Sequence, residues 1–162
     1  SDLLPVVPDC RRHAVPQRLC PEGSAYTNQL RVDVDGIDPS RFVAAWQAVL
    51  ARHDSLHCGF LHREASPLQW VARDVALPMI VEDWAGRDAS DIDAFAASQR
   101  AQGFDLRQPP LMRVALLRTG PDRHHLVWTV HHLLLDGWST AQCPWACWPS
   151  GPWKWSSRCW RS

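Results

Sequence analysis

Two periodicities of apolar residues divide the middle of this chain into strands and helices. Ala25 to Val34 predicts a strand. Asp38-Pro39 then supplies a helix cap with proline in the first turn, and Phe42, Trp46, Val49 and Leu50 recur on one helical face, a stripe that predicts core packing. Leu56 to Leu61 and Leu68 to Arg73 predict strands, with a further extended piece at Met79 to Glu82. Ser90 and Asp93 form a candidate capping box for a helix through about Ala101 that turns Ile92, Phe95 and Ala96 inward. Leu111 to Leu117 and His124 to Val130 predict a hairpin about Gly120-Pro121-Asp122. The order of elements predicts an α/β domain of the mixed α+β kind, with no internal repeat.

Composition narrows the function classes. The 162 residues suffice for one domain with a real core. Seventeen basic and seventeen acidic side chains cancel, and no basic cluster interleaved with aromatics appears, which argues against a nucleic-acid partner. No apolar run approaches a membrane span and no secretory signal opens the chain, so a cytoplasmic location and no membrane partner are expected. The cysteines, Cys10, Cys20, Cys58, Cys143, Cys147 and Cys159, show no paired metal-ligand spacing. Five of these six fall in two stretches unlike the rest of the chain.

The richest chemistry lies at His131-His132-Leu133-Leu134-Leu135-Asp136-Gly137, where the apolar strand Leu126 to Val130 runs out. A strand end is held by a scaffold yet open to solvent, a usual place for acid-base groups. On spacing alone, three readings stand: a catalytic histidine, a core histidine hydrogen-bonded to a carboxylate, or a metal site of two histidines and one carboxylate. The metal reading ranks lowest, because adjacent residues on an extended chain point to opposite faces and His131 and His132 do not readily share an ion. His124 and His125 form a second pair, but Thr129 stands where an aspartate would be needed, so that pair reads as strand.

Three ordered segments carry a family resemblance. Trp46-Gln47-Ala48-Val49-Leu50-Ala51-Arg52-His53-Asp54-Ser55-Leu56, then Gly103-Phe104-Asp105-Leu106 with Pro109-Pro110-Leu111-Met112-Arg113, then the histidine motif ending Asp136-Gly137-Trp138-Ser139, resemble the condensation domains of non-ribosomal peptide synthetases. The resemblance runs from roughly Glu22 to Gln142 and corresponds to much of that family's N-terminal lobe. It implies a chloramphenicol-acetyltransferase-like lobe, a mixed sheet with flanking helices, with the second lobe absent. It also implies amide formation between a carrier-bound acyl or peptidyl thioester and a carrier-bound aminoacyl amine.

By the family pattern His132 is the catalytic residue, accepting the amine proton or orienting the amine, and His131 supports it. Asp136 matches a structural aspartate and Arg52 the arginine that pairs with it, while Gly137 allows close backbone approach or positive φ. An ordinary helix C-terminal cation is the bland reading of Arg52, and a plain turn that of Gly137. The resemblance implies no cofactor or metal bound directly. Phosphopantetheine arrives on upstream and downstream carrier proteins, and an adenylation domain of the same synthetase is a further expected partner. Two other classes stay open: another acyltransferase with the same histidine and aspartate spacing, and a non-catalytic remnant that docks a carrier.

Departures from the family pattern are informative too. Leu56-His57-Cys58 stands where the pattern continues Leu-Arg-Thr, so His57 keeps a donor without a permanent charge. From Asp9 to Cys20 the expected Met-Leu-Phe-His segment is missing. One codon path for His13 to Gln17, CAT GCT GTT CCA CAG, yields ATG CTG TTC CAC when moved by one base. Six of the ten tryptophans fall from Trp138 onward, without helical or strand period. We expect a compensated pair of frameshifts over roughly 9–20 and an uncompensated one after about Gln142, a genuine, divergent Trp-rich tail being the bland alternative. Residues 1–142 are then lobe and 143–162 an aberrant tail. Neighbouring reading frames that encode nothing family-like would refute this. A tunnel with one wall cannot hold both substrates near attack distance, so the isolated chain is expected to show little condensation activity.

Overall fold

The computed structural model describes residues 2–5, 26–61 and 68–134. The expectations for Asp136, Gly137, the 9–20 segment and the 143–162 tail lie outside these residues. The described strands form two sheets. β2 (Thr27–Asp35), β5 (Met79–Asp83), β6 (Met112–Arg118) and β7 (Arg123–His131) make the larger one in the order β2-β7-β6-β5. Only the β5–β6 pair is parallel, which makes the sheet mixed. β1 (Asp2–Pro5), β3 (Cys58–Leu61) and β4 (Leu68–Val71) form an antiparallel sheet in the order β1-β4-β3.

Helices cover both faces of the larger sheet. α1 (Pro39–Arg52) starts as expected, with the Asp38 carboxylate accepting the Arg41 N–H at 3.1 Å and Pro39 in the first turn. Its buried Phe42, Trp46 and Leu50 pack on Val32, Val34, Val114, Leu116, Leu126, Trp128 and Val130. Trp46 and Trp128 meet with ring centroids 5.5 Å apart. The opposite face, with Ala115, Leu117 and Val127, lies under Trp84 and under Ile92, Phe95 and Ala96 of α2 (Ala89–Ala101). Because β7 is central and covered on both sides, it is buried without alternation from His124 to Val130.

Two expectations need correction. α2 begins at Ala89 after Asp88, not in a Ser90–Asp93 capping box. The Asp93 carboxylate instead accepts from Arg31 on β2 at 2.6 Å, a pairing across elements that local pattern cannot reveal. The segment expected as a strand from Leu56 begins with a 3₁₀ turn, Asp54–His57, and only Cys58–Leu61 is strand. The turn lets the buried His57 ring reach back to Leu50, with Nε2 2.8 Å from the Leu50 carbonyl and Nδ1 3.1 Å from that of Ala72. The cross-strand register Gly59↔Trp70 then places an indole over Gly59, where an added Cβ would lie 2.5 Å from Trp70 Nε1.

Candidate active site

The site is built at one end of the larger sheet. β7 ends at His131, opposite Thr27 of β2. The backbone N–H of His131 donates to the Leu111 carbonyl at 2.9 Å, that of His132 to the Tyr26 carbonyl at 2.8 Å, and that of Leu134 back to the His131 carbonyl at 3.0 Å. The chain thus leaves the sheet in a tight turn anchored to both neighbouring segments. His131 lies half-buried between Tyr26 and Phe104, at ring centroid distances of 6.4 and 6.2 Å. His132 is exposed.

The His131 ring is fixed by its surroundings. The Leu133 N–H points to His131 Nδ1 at 3.2 Å, so this nitrogen accepts and the proton of the neutral ring sits on Nε2. Burial first, and the neighbouring His132 second, push the His131 pKa down to about 4. His131 is therefore neutral at physiological pH and serves as a hydrogen-bond acceptor inside the turn. The imidazole of His132 lies outside this packing, on the exposed side of the turn.

The packing beneath His131 comes from the end of α2. Gly103, at φ 56°, closes the helix in the left-handed region that favours glycine. It turns Phe104 under the histidine. Arg113 on β6 lies with its guanidinium carbon 4.2 Å above the Phe104 ring, and its two terminal nitrogens donate to the carbonyls of Gln99 (2.6 Å) and Gly103 (2.9 Å). A cation at a helix C-terminus complements the helix dipole. Leu106 accepts the Phe60 N–H at 2.7 Å, tying this bend to β3. Leu111, Cys58 and Phe60 form a buried floor on which Phe104, Leu106, Leu133 and Leu134 pack. Residues from segments far apart in sequence thus converge beneath one turn.

With that geometry in place, relatives are informative. The sequence matches the condensation domain family over residues 2–141. The chain belongs to that family. It is 42% identical over 125 residues to a linear gramicidin synthase protein of Brevibacillus parabrevis, covering 74% of this chain and 2% of that protein. Chondramide synthase cmdD of Chondromyces crocatus is 38% identical over 120 residues, 72% of this chain and 3% of that protein. The condensation-domain chain therefore spans only about one-fiftieth of such a relative.

Among solved structures, the four-domain non-ribosomal peptide synthetase holo-AB3403, bound to AMP and glycine, superposes with a TM-score of 0.71 at 26% identity, over 81% of this chain and 10% of that one. The starter condensation domain of rhizomide synthetase superposes with a TM-score of 0.76 at 22% identity, over 91% of this chain and 36% of that one. At that identity the second likeness speaks for the fold. The mixed α/β lobe with flanking helices has the chloramphenicol-acetyltransferase-like fold of condensation domains.

In this condensation domain the expected site residues fall in three groups. His131 and His132 stand side by side at the strand end, one turned in and one out. Arg52 is the last residue of α1, exposed, and its side chain bonds to none of the described residues. Its expected partner Asp136, and Gly137, lie outside those residues. Sequence reasoning missed Tyr26, whose carbonyl and ring both hold the turn. An aromatic at the start of the expected strand was the sole signal, and it gains meaning only once the register Thr27↔His131 is known. Among the described residues no cluster of metal-ligating side chains occurs, and no helix is long and apolar enough to cross a membrane.

Proposed function

We infer that this chain supplies the histidine wall of an amide-forming condensation site in a non-ribosomal peptide synthetase. In this reading the amine of a carrier-bound aminoacyl group attacks the thioester carbonyl of a carrier-bound acyl or peptidyl group. The new C–N bond forms, the C–S bond breaks, and the proton released by nitrogen passes to His132 and then to the departing sulfur. The two carriers bring phosphopantetheine with the substrates, and an adenylation domain loads the acceptor. The observation that carries this reading is the exposure of His132 on a turn whose backbone N–H groups and neighbouring ring are all engaged.

The reaction is assigned to the synthetase that carries the chain rather than to its 162 residues alone. Holding two tethered substrates near attack distance needs a wall on each side. His132→Ala in the full synthetase, supplied with loaded carriers and followed by mass spectrometry of the amide, is expected to lower product formation by about 10²–10⁴-fold. Undiminished product would place the catalyst elsewhere and favour a carrier-docking role.

A further inference from the structure

Arg113 is a half-buried cation that no carboxylate among the described residues neutralises. Its Nε is buried without a hydrogen-bond partner among those residues, and burial draws its pKa downward. Such a placement costs free energy. A leucine at that β6 position would extend the apolar face formed by Ala115 and Leu117. What the charge obtains instead is specific: two carbonyls at the end of α2, and the face of Phe104. The edge-to-face contact between Phe104 and His131, at an interplanar angle of 89°, passes the constraint on to the histidine ring.

We propose that Arg113, acting through Phe104, is a positioning residue for the histidine turn. It holds the His131 ring so that Nδ1 accepts the Leu133 N–H and the next residue, His132, leaves the sheet on the exposed side. Every link is a contact of fixed geometry: guanidinium on helix carbonyls, guanidinium on Phe104, Phe104 on His131, and His131 Nδ1 on the Leu133 amide. A smaller side chain at Phe104 breaks the relay without removing any hydrogen-bonding group of the turn itself. The ring would then be free to rotate and the Leu133 N–H to lose its acceptor. The catalytic consequence rests on the reading of His132 given above, whereas the positioning is independent of it.

The test uses the full chain with ¹⁵N-labelled histidine. In the parent, His131 is expected to show the neutral tautomer with the proton on Nε2, and Leu133 a protected amide. Phe104→Leu and Arg113→Lys should both move the His131 signal toward a tautomer mixture and raise Leu133 amide exchange by about tenfold or more, with amides of β6 and β7 still protected. Phe104→Tyr, which keeps the ring, should restore both signals. An unchanged His131 signal and unchanged Leu133 exchange in the first two variants would overturn the proposal. So would loss of β6 and β7 protection in both, since the pair would then hold the sheet and not the histidine. In the full synthetase the same variants should lower kcat about tenfold or more while leaving KM for the loaded carriers near its parent value. A displaced His131 signal with unchanged turnover would leave the positioning standing and refute the catalytic assignment of His132.

Discussion

Replacing His57 by leucine tests how the end of α1 is fastened to the smaller sheet. The His57 ring is 8% exposed and faces two carbonyls, Leu50 at 2.8 Å and Ala72 at 3.1 Å. The Leu50 carbonyl belongs to the last turn of α1, where helix carbonyls lack partners inside the helix, and among the described residues it otherwise meets only the His53 N–H at 3.2 Å. Each net hydrogen bond contributes about 0.5–1.5 kcal/mol, and a buried acceptor left unpaired costs about 1–3 kcal/mol, while the leucine regains part of this as apolar burial. The expected loss for His57→Leu is about 2 kcal/mol, which in a domain of this size lowers Tm by about 4–8 °C. His57→Arg, restoring the residue that the family pattern places here, offers five donors to two acceptors and should melt at or above the parent temperature. Thermal unfolding of the full chain followed by circular dichroism reads both variants. A leucine variant that melts with the parent, or an arginine variant that falls as far as the leucine one, refutes the clamp.

Three further predictions follow from the same structure. Trp128 is 1% exposed, against Trp46, so Trp128→Ala should cost about 3–5 kcal/mol in urea unfolding, and a loss under about 1 kcal/mol would show that the core re-closes around it. Ser90→Ala should leave stability within about 0.5 kcal/mol of the parent, because α2 starts at Ala89 without a Ser90 cap; a loss above about 1 kcal/mol would reinstate the capping box. His131 has its pKa lowered from 6.5 to about 4 and His124 is also lowered, both by burial first, so the unfolded chain binds protons there that the folded chain does not. The His131 contribution to stability is complete above 6.5 and is lost as pH falls toward about 4, and that of His124 is lost in the same direction, so melting at about pH 5 should lie below that at about pH 7, and the reverse order would contradict the burial of these rings.

Legibility in the sequence followed the range of the interactions. The stripe Phe42, Trp46, Val49 and Leu50, the Asp38 cap and the β6–β7 hairpin rest on neighbours within a few residues, and each stands where the pattern put it. β5, α2 and β6 were each expected as elements, but the parallel pairing of β5 with β6 came only with the structure. Asp93 shows the limit: its spacing from Ser90 fits a cap, yet Arg31, 62 residues away, takes its carboxylate. The histidine motif was legible as letters. Its support was not, since Phe104, Arg113 and Tyr26 meet His131 only through the sheet register and the bend at Gly103. His57 shows the converse, a departure from the family pattern that nevertheless keeps the donor function at its position.

The central place of β7 also has a bearing on how the chain is made. β2 has no strand partner among the described residues other than β7, and the pairing joins Thr27 to His131. During synthesis β2 must therefore wait, with its edge open, while everything up to β7 emerges from the ribosome. Such distant pairing forms slowly and leaves intermediates prone to association. The strand that delivers the histidines is also the one that closes the sheet. A nascent chain halted before Arg123 would hold neither a finished sheet nor any part of the histidine turn.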